Sequence, residues 1–177
     1  MSMFDHRGAN SEFLAATLPH LDAVWGIARR FTPDRSSAED LVQETYLLAF
    51  RSYPDQGSGQ LRSWLAAICL NAARSQYRAD RRRPFEQLDV DLSDVVAVDD
   101  VAAIALARIE RSAVAAAIAE LPDDQRVAVV LVDIGGLSTQ EAADTMGVPR
   151  GTVLSRVHRG RRRLAGILAR QGLDHGR

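Results

Sequence analysis

Between Ser138 and Ala169 the chain spells a short capped helix, a glycine turn and a longer helix, and few folds are built that way. Ser138 stands three residues before Glu141, the spacing at which a hydroxyl and a carboxylate satisfy each other's backbone amides at a helix start. Ala142, Ala143 and Met146 carry that helix to Gly147, which is free to take the left-handed conformation that ends a helix. Val148-Pro149 then leads into a last helix from about Arg150 to Ala169. This is the layout of a helix-turn-helix, whose second helix enters the major groove of DNA.

Projected at about 100° per residue, that last helix puts Val153, Leu154, Val157, Leu164 and Leu168 on its buried side. Thr152, Ser155, Arg159 and Arg162 fall opposite, with Arg156 and Arg163 on the flank. Guanidinium forks suit phosphate oxygens and the N7 and O6 edge of guanine. The N-terminal part of such a helix lies nearest the bases. Arg150, Thr152, Ser155 and Arg156 are therefore expected at base edges, and Arg159 to Arg163 at the backbone. The plain alternative is a solvated basic face, but here the basic charge coincides with a capped preceding helix and a glycine turn.

The rest of the chain also reads as helix. Phe13, Leu14, Leu18, Leu21, Val24, Trp25, Ala28 and Phe31 recur at helical spacing up to Thr32-Pro33-Asp34. A capping-box spacing from Ser36 to Glu39 opens a second helix, with Ala38, Leu41, Val42, Thr45, Leu48 and Ala49 on one face and Asp40, Gln43, Glu44 and Leu47 on the other. Turn formers from Ser52 to Gln60 make a loop. A third helix follows, with Leu61, Trp64, Leu65, Ile68 and Ala72 as its apolar stripe and Asn71, Arg74 and Arg78 along the other side, ending at Arg81-Arg82-Arg83-Pro84. Alanine-rich helix resumes through Ile104, Ile109, Val114 and Ile118, and Pro122 is placed to open the helix that stops at Gly135-Gly136. No strand pattern occurs in the sequence.

Charge divides this helical chain in two. The net charge is only -1, yet the arginines cluster at Arg74 to Arg83 and at Arg150 to Arg163. Between Phe85 and Asp100 lie Glu86, Asp89, Asp91, Asp94, Asp99 and Asp100, with no basic residue. At 177 residues and 46% hydrophobic the chain can fill one medium core or two small ones, and the acidic segment favours two. The expected class is all-α, with two small helical domains joined by a flexible acidic linker. The expected boundaries are a flexible terminus at 1–10, a first module at 11–84, the linker at 85–103, a second module at 104–171 and a flexible end at 172–177.

Several function classes are disfavoured. No apolar run approaches the roughly 20 residues of a spanning helix, and the first residues lack a signal peptide's apolar stretch, so a cytoplasmic protein without membrane insertion is expected. Cys69 is the only cysteine, and His6, His20, His158 and His175 are scattered, so neither disulfide nor metal is expected. No cofactor is implied. No acid–base pair, nucleophile set or phosphate loop stands out, and the chain is not expected to be an enzyme. Every basic residue is arginine, a bias expected of a GC-rich genome as well as usable chemistry.

The order of these segments resembles one family closely, the group IV (extracytoplasmic function, ECF) sigma factors of the sigma-70 family. AEDLVQETYLLAF resembles the second helix of the family's region 2, LRSWLAAICLNAARSQYRADRRRP its W-L helix rich in arginine, and LPDDQRVAVVLVDIGGLSTQEAADTMGVPRGTVLSRVHRGRRRL its region 4. The resemblance implies a region 2 helical bundle and a region 4 helix-turn-helix that bind core RNA polymerase, at its clamp and flap, and direct initiation at promoters. It implies docking on the clamp by Asp40, Gln43, Glu44 and Leu47. It implies contact with the −35 element by Arg150, Thr152, Ser155, Arg156, Arg159, Arg162 and Arg163. The −10 element would be opened by the loop before the W-L helix and by that helix, with Gly57, Ser58, Gln60, Arg62, Ser63, Asn71, Arg74 and Arg78 as contacts. Trp64 and Cys69 read as packed residues. The acidic linker would suit polymerase channels that hold nucleic acid, or be merely a soluble tether. An anti-sigma protein is an implied partner. Two rivals remain on the residues alone: a conventional helix-turn-helix regulator with a sensing or dimerising N-terminal module, and a helical adaptor.

Overall fold

The computed structural model describes residues 5–53, 60–80 and 111–171, and every regular element among them is helical. Helices α1 (Asp5–Thr17), α2 (Leu21–Phe31), α3 (Arg35–Ser52) and α4 (Leu61–Asp80) form the first module. The second contains α5, described over residues 111–119, then α6 (Asp123–Val129), α7 (Thr139–Met146) and α8 (Arg150–Arg170). The acidic segment, the loop tip with Gly57 and Ser58, and the chain ends at 1–4 and 172–177 lie outside the described residues.

Two helix starts differ from the sequence expectation for identifiable reasons. The helical pattern running from Phe13 to Phe31 is broken by a 3₁₀ turn at Leu18–His20, because Pro19 cannot donate the amide that a continuous helix needs. Helix α3 is capped by Asp34 rather than by Ser36. The Asp34 carboxylate accepts from the Ser37 amide at 2.7 Å and from the Ser37 hydroxyl at 3.0 Å, two bonds that a serine at 36 would not match. Glu39, freed from capping, pairs with Arg35 one turn back at 2.9 Å.

The first module's core is built from one face of each helix: Val24, Ile27 and Ala28 of α2, Leu41, Thr45 and Ala49 of α3, and Leu65, Cys69 and Leu70 of α4. Each large aliphatic among them gains about 1.5–3 kcal/mol on burial. Thr45 is tolerated there because its hydroxyl donates to the Leu41 carbonyl at 2.7 Å. Phe13 closes the end of the bundle, edge-on to Tyr46, Phe50 and Tyr53. Trp64 packs against this core, as its place on the apolar stripe predicts. Burial pushes the Cys69 thiol up to about 11, partly opposed by a hydrogen bond with Thr45.

In the second module, Ser138 and Glu141 form the full capping box. Glu141 donates its amide to the Ser138 hydroxyl at 3.2 Å, and Ser138 donates its amide to the Glu141 carboxylate at 2.8 Å. Gly147 ends α7 at φ 65°, where a side chain would be strained. Helix α6 does not end at Val129 but widens into a single π turn, Val130–Ile134, closed by the Gly135 amide on the Val130 carbonyl at 2.8 Å.

The two modules share one connected core along a seam between α2 and α4 on one side and the π turn and α7 on the other. Gly26 lets the turn approach so closely that a β-carbon there would lie 2.7 Å from Ile134 Cγ2. Gly135 similarly meets the end of Ile27. Polar contacts edge the seam: Arg62 donates to the Gly136 carbonyl at 3.3 Å, and the Arg126 guanidinium sits 5.9 Å from the centre of the Phe31 ring.

Candidate nucleic-acid and polymerase interfaces

Helix α8 is held against α6 and the π turn that continues it at three levels. Where they cross, Gly160 is buried under Val129, with room for no β-carbon: one would stand 2.6 Å from Val129 Cγ2. On one side Arg156 pairs with Asp124 at 3.1 Å, and on the other Arg161 donates to Asp133 at 3.1 Å. Hydrogen bonding to Asp133 raises the Arg161 pKa above its ordinary value. Arg150 donates to the Thr139 hydroxyl at 3.1 Å and so ties the start of α8 to α7. The sequence did not show Asp124, Asp133 or Gly160 as partners, because only the crossing of α6 over α8 brings residues about thirty positions apart together.

The outward face carries most of the expected −35 set. Arg150, Ser155, Arg159, Arg162 and Arg163 are exposed, and Thr152 is half-buried. Arg159 folds back along the helix, donating to the Ser155 carbonyl at 3.2 Å and to its hydroxyl at 3.3 Å. Arg156 is the most engaged of the set, its side chain 21% exposed beside Asp124. The buried side departs from the projection at both ends: Leu154, assigned to it, is exposed, and towards the C-terminus Ile167 is buried while Leu164 and Leu168 are half-buried; Val153 and Val157 are buried as projected, with Gly160 beside them. The error is one of phase. The buried stripe centres on Val153 and Gly160, which leaves Leu154 outside it.

Of the residues expected at the −10 element, Gly57 and Ser58 lie outside the described residues. Gln60, Asn71, Arg74 and Arg78 are exposed, and Arg78 donates to the Arg74 carbonyl at 3.2 Å. Ser63 differs: it is buried, and its hydroxyl donates to the Gln60 carbonyl at 3.0 Å, bracing the end of the loop. Arg62 is exposed but turned to the seam at Gly136. It also helps lower the Glu141 pKa, whose main causes are the hydrogen bonds to Ser138.

The residues expected at the polymerase clamp lie along α3. Asp40, Gln43 and Leu47 are exposed, and Glu44 accepts from the Gln76 amide of α4 at 2.7 Å. Glu44 and Asn71 line opposite walls of one groove of about 390 Å³ between α3 and α4, floored by Leu48, Ile68 and Ala72. The helical spacing puts Leu48 on the face of Leu41 and Thr45. It lies at this groove instead, 37% exposed.

A helical bundle braced against a helix-turn-helix with an arginine-bearing outer helix defines a DNA-binding protein of two modules. Comparison with known proteins narrows this. The family model for Sigma-70 region 2 matches residues 18–83, and that for Sigma-70, region 4 matches residues 111–164. The chain is 39% identical over 156 residues to the ECF RNA polymerase sigma factor SigE of Mycolicibacterium smegmatis, covering 88% of this chain and 61% of SigE. It is 36% identical over 162 residues to the ECF RNA polymerase sigma factor EcfG of Rhodopseudomonas palustris, covering 91% and 86%. Its fold is similar to that of the sigma factor RpoE in complex with the anti-sigma factor NepR from Bartonella quintana, at TM-score 0.74, 28% identity and coverage of 89% and 97%. CnrH in complex with the cytosolic domain of CnrY is similar at TM-score 0.69, 27% identity and coverage of 91% and 90%. The chain belongs to the ECF sigma factors of the sigma-70 family. Membership makes it an alternative sigma factor, one that directs promoter-specific transcription.

Proposed function

We infer that this chain docks on the clamp of core RNA polymerase through Asp40, Gln43, Glu44 and Leu47 of α3, with its second module at the flap. The loop before α4 and the exposed side of α4 engage the −10 element, with Asn71, Arg74 and Arg78 as contacts. Helix α8 lies in the major groove of the −35 element. The observation that carries this reading is the outward face of α8, where Ser155, Arg159, Arg162 and Arg163 stand exposed while α6 and α7 brace the helix from behind. Phosphate contacts by such arginines set register and affinity, and base edges set sequence.

The chain adds no chemistry of its own in this reading, since nucleotide transfer belongs to the polymerase. It works in the cytoplasm, and no helix among the described residues is long and apolar enough to cross a membrane. Two similar solved structures hold an anti-sigma factor or a partner's cytosolic domain, which supports an anti-sigma protein as a regulator here.

Run-off transcription with purified core polymerase on genomic fragments tests the reading. Discrete start sites that appear only when this chain is added are the expected result. Normal binding to core without any specific start would overturn promoter opening, and operator binding that needs no polymerase would favour a conventional helix-turn-helix regulator.

A further inference from the structure

We propose that Leu154 is a specificity-determining residue of α8, making apolar contact with the 5-methyl group of a thymine in the −35 element. The inference rests on the reading of α8 as the −35 helix. Leu154 is 46% exposed, in the first two turns of α8, beside buried Val153 and away from the core stripe of Val153, Val157 and Gly160. Isolated exposed leucines are common on protein surfaces and by themselves mean little. This one stands on the half of a recognition helix that comes nearest the bases.

Its surroundings sharpen the assignment. Gly151, three residues earlier, has open space where a side chain would be, so nothing on that side holds a groove floor away from Leu154. Ser155 beside it and His158 one turn on are exposed and polar. The nearby arginines are engaged within the protein: Arg150 on Thr139, Arg156 on Asp124 and Arg159 on Ser155. Leu154 is thus the large apolar side chain presented by this part of the helix. The thymine methyl is the apolar group on the major-groove edges of the bases. Bringing the two together removes both from water, whereas a leucine against a phosphate or an amide edge would gain nothing. Burial of one methyl-sized group corresponds to about fourfold in affinity.

Deoxyuridine substitution isolates that methyl, because it leaves every hydrogen-bonding group of thymine in place. Holoenzyme assembled from the full chain and core polymerase is titrated with a duplex promoter recovered by run-off transcription, in which each −35 thymine is replaced in turn. The expected result is a loss of about fourfold at one position for the unaltered chain. Leu154→Ala should lose nothing further at that position, and Leu154→Met, which keeps an apolar reach, should retain the thymine preference. Equal sensitivity to deoxyuridine in Leu154→Ala and the unaltered chain, or no sensitive position in the unaltered chain, would overturn the inference while leaving the −35 reading intact. Promoter binding that is indifferent to scrambling the whole −35 element would overturn both.

Discussion

Gly160 of α8 lies directly beneath Val129 of α6, and the hydrogen of the glycine is all the space between them allows: a β-carbon would come within 2.6 Å of Val129 Cγ2. Gly160→Ala should therefore destabilise the second module by about 1–3 kcal/mol, as overpacking does. Urea denaturation measures it. Val129→Ala in the same chain should recover much of the loss, which a defect of helix propensity would not permit, since alanine favours helix over glycine.

Arg156 and Asp124 offer a second test, because the pair can be separated from any role at DNA. Its members are 21% and 47% exposed in their side chains, so screening by water limits its worth. A double-mutant cycle of Arg156→Ala and Asp124→Ala should return a coupling of about 0.5–1 kcal/mol in the free protein. Zero coupling would mean that the pair holds nothing in solution.

For Arg162, exposed and carrying no partner contact in the fold described above, the expected consequence is electrostatic. Arg162→Ala should weaken promoter binding nearly equally on matched and scrambled −35 sequences and reduce the slope of log affinity against log salt by about one. A sequence-selective loss would move Arg162 to the base edges.

Acid should weaken the capped start of α7. The hydrogen bonds to Ser138 hold the Glu141 carboxyl below its usual range, so its stabilising contribution is complete above the unfolded value of about 4.3 and is lost as pH falls through the lower folded value. Glu141→Gln should flatten that part of the stability profile, as followed by thermal melts between neutral pH and acid.

Cys69 should be inert to thiol reagents at mildly alkaline pH while the protein is folded. Its thiol is buried and pushed up to about 11, and reaction requires the thiolate. Labelling by iodoacetamide should follow the unfolding transition across a urea series; labelling at the rate of a free thiol in native buffer would contradict the burial.

Much of this was legible in the sequence because it is local. The Ser138–Glu141 box, the left-handed Gly147, the helix opening after Pro122 and the arginine face of α8 each depend on residues a few positions apart. The break at Pro19 was equally local but was overridden by the apolar period that continues through it. What sequence reading could not supply was contact across helices. The stapling of α8 by Asp124 and Asp133, the diversion of Arg62 to Gly136 and the meeting of Glu44 with Asn71 in one groove follow from how helices cross. The misplaced Leu154 shows the finer limit: a buried stripe only a few residues wide shifts its edge with a small error of phase.

The π turn at Val130–Ile134 gives the chain an inheritance of length as well as of residue type. This wide turn takes up one residue more than an α turn, closed by the Gly135 amide on the Val130 carbonyl. Removing any single residue from those five would close the segment as ordinary i→i+4 turns and take out a side chain the fold uses: Val130 and Leu131 are buried, Val132 packs on the core, Asp133 accepts from Arg161 and Ile134 meets Gly26. Substitutions of similar volume can be absorbed there, but a one-codon deletion should be at least as damaging as the loss of a core side chain, although it touches no residue of the outward face of α8.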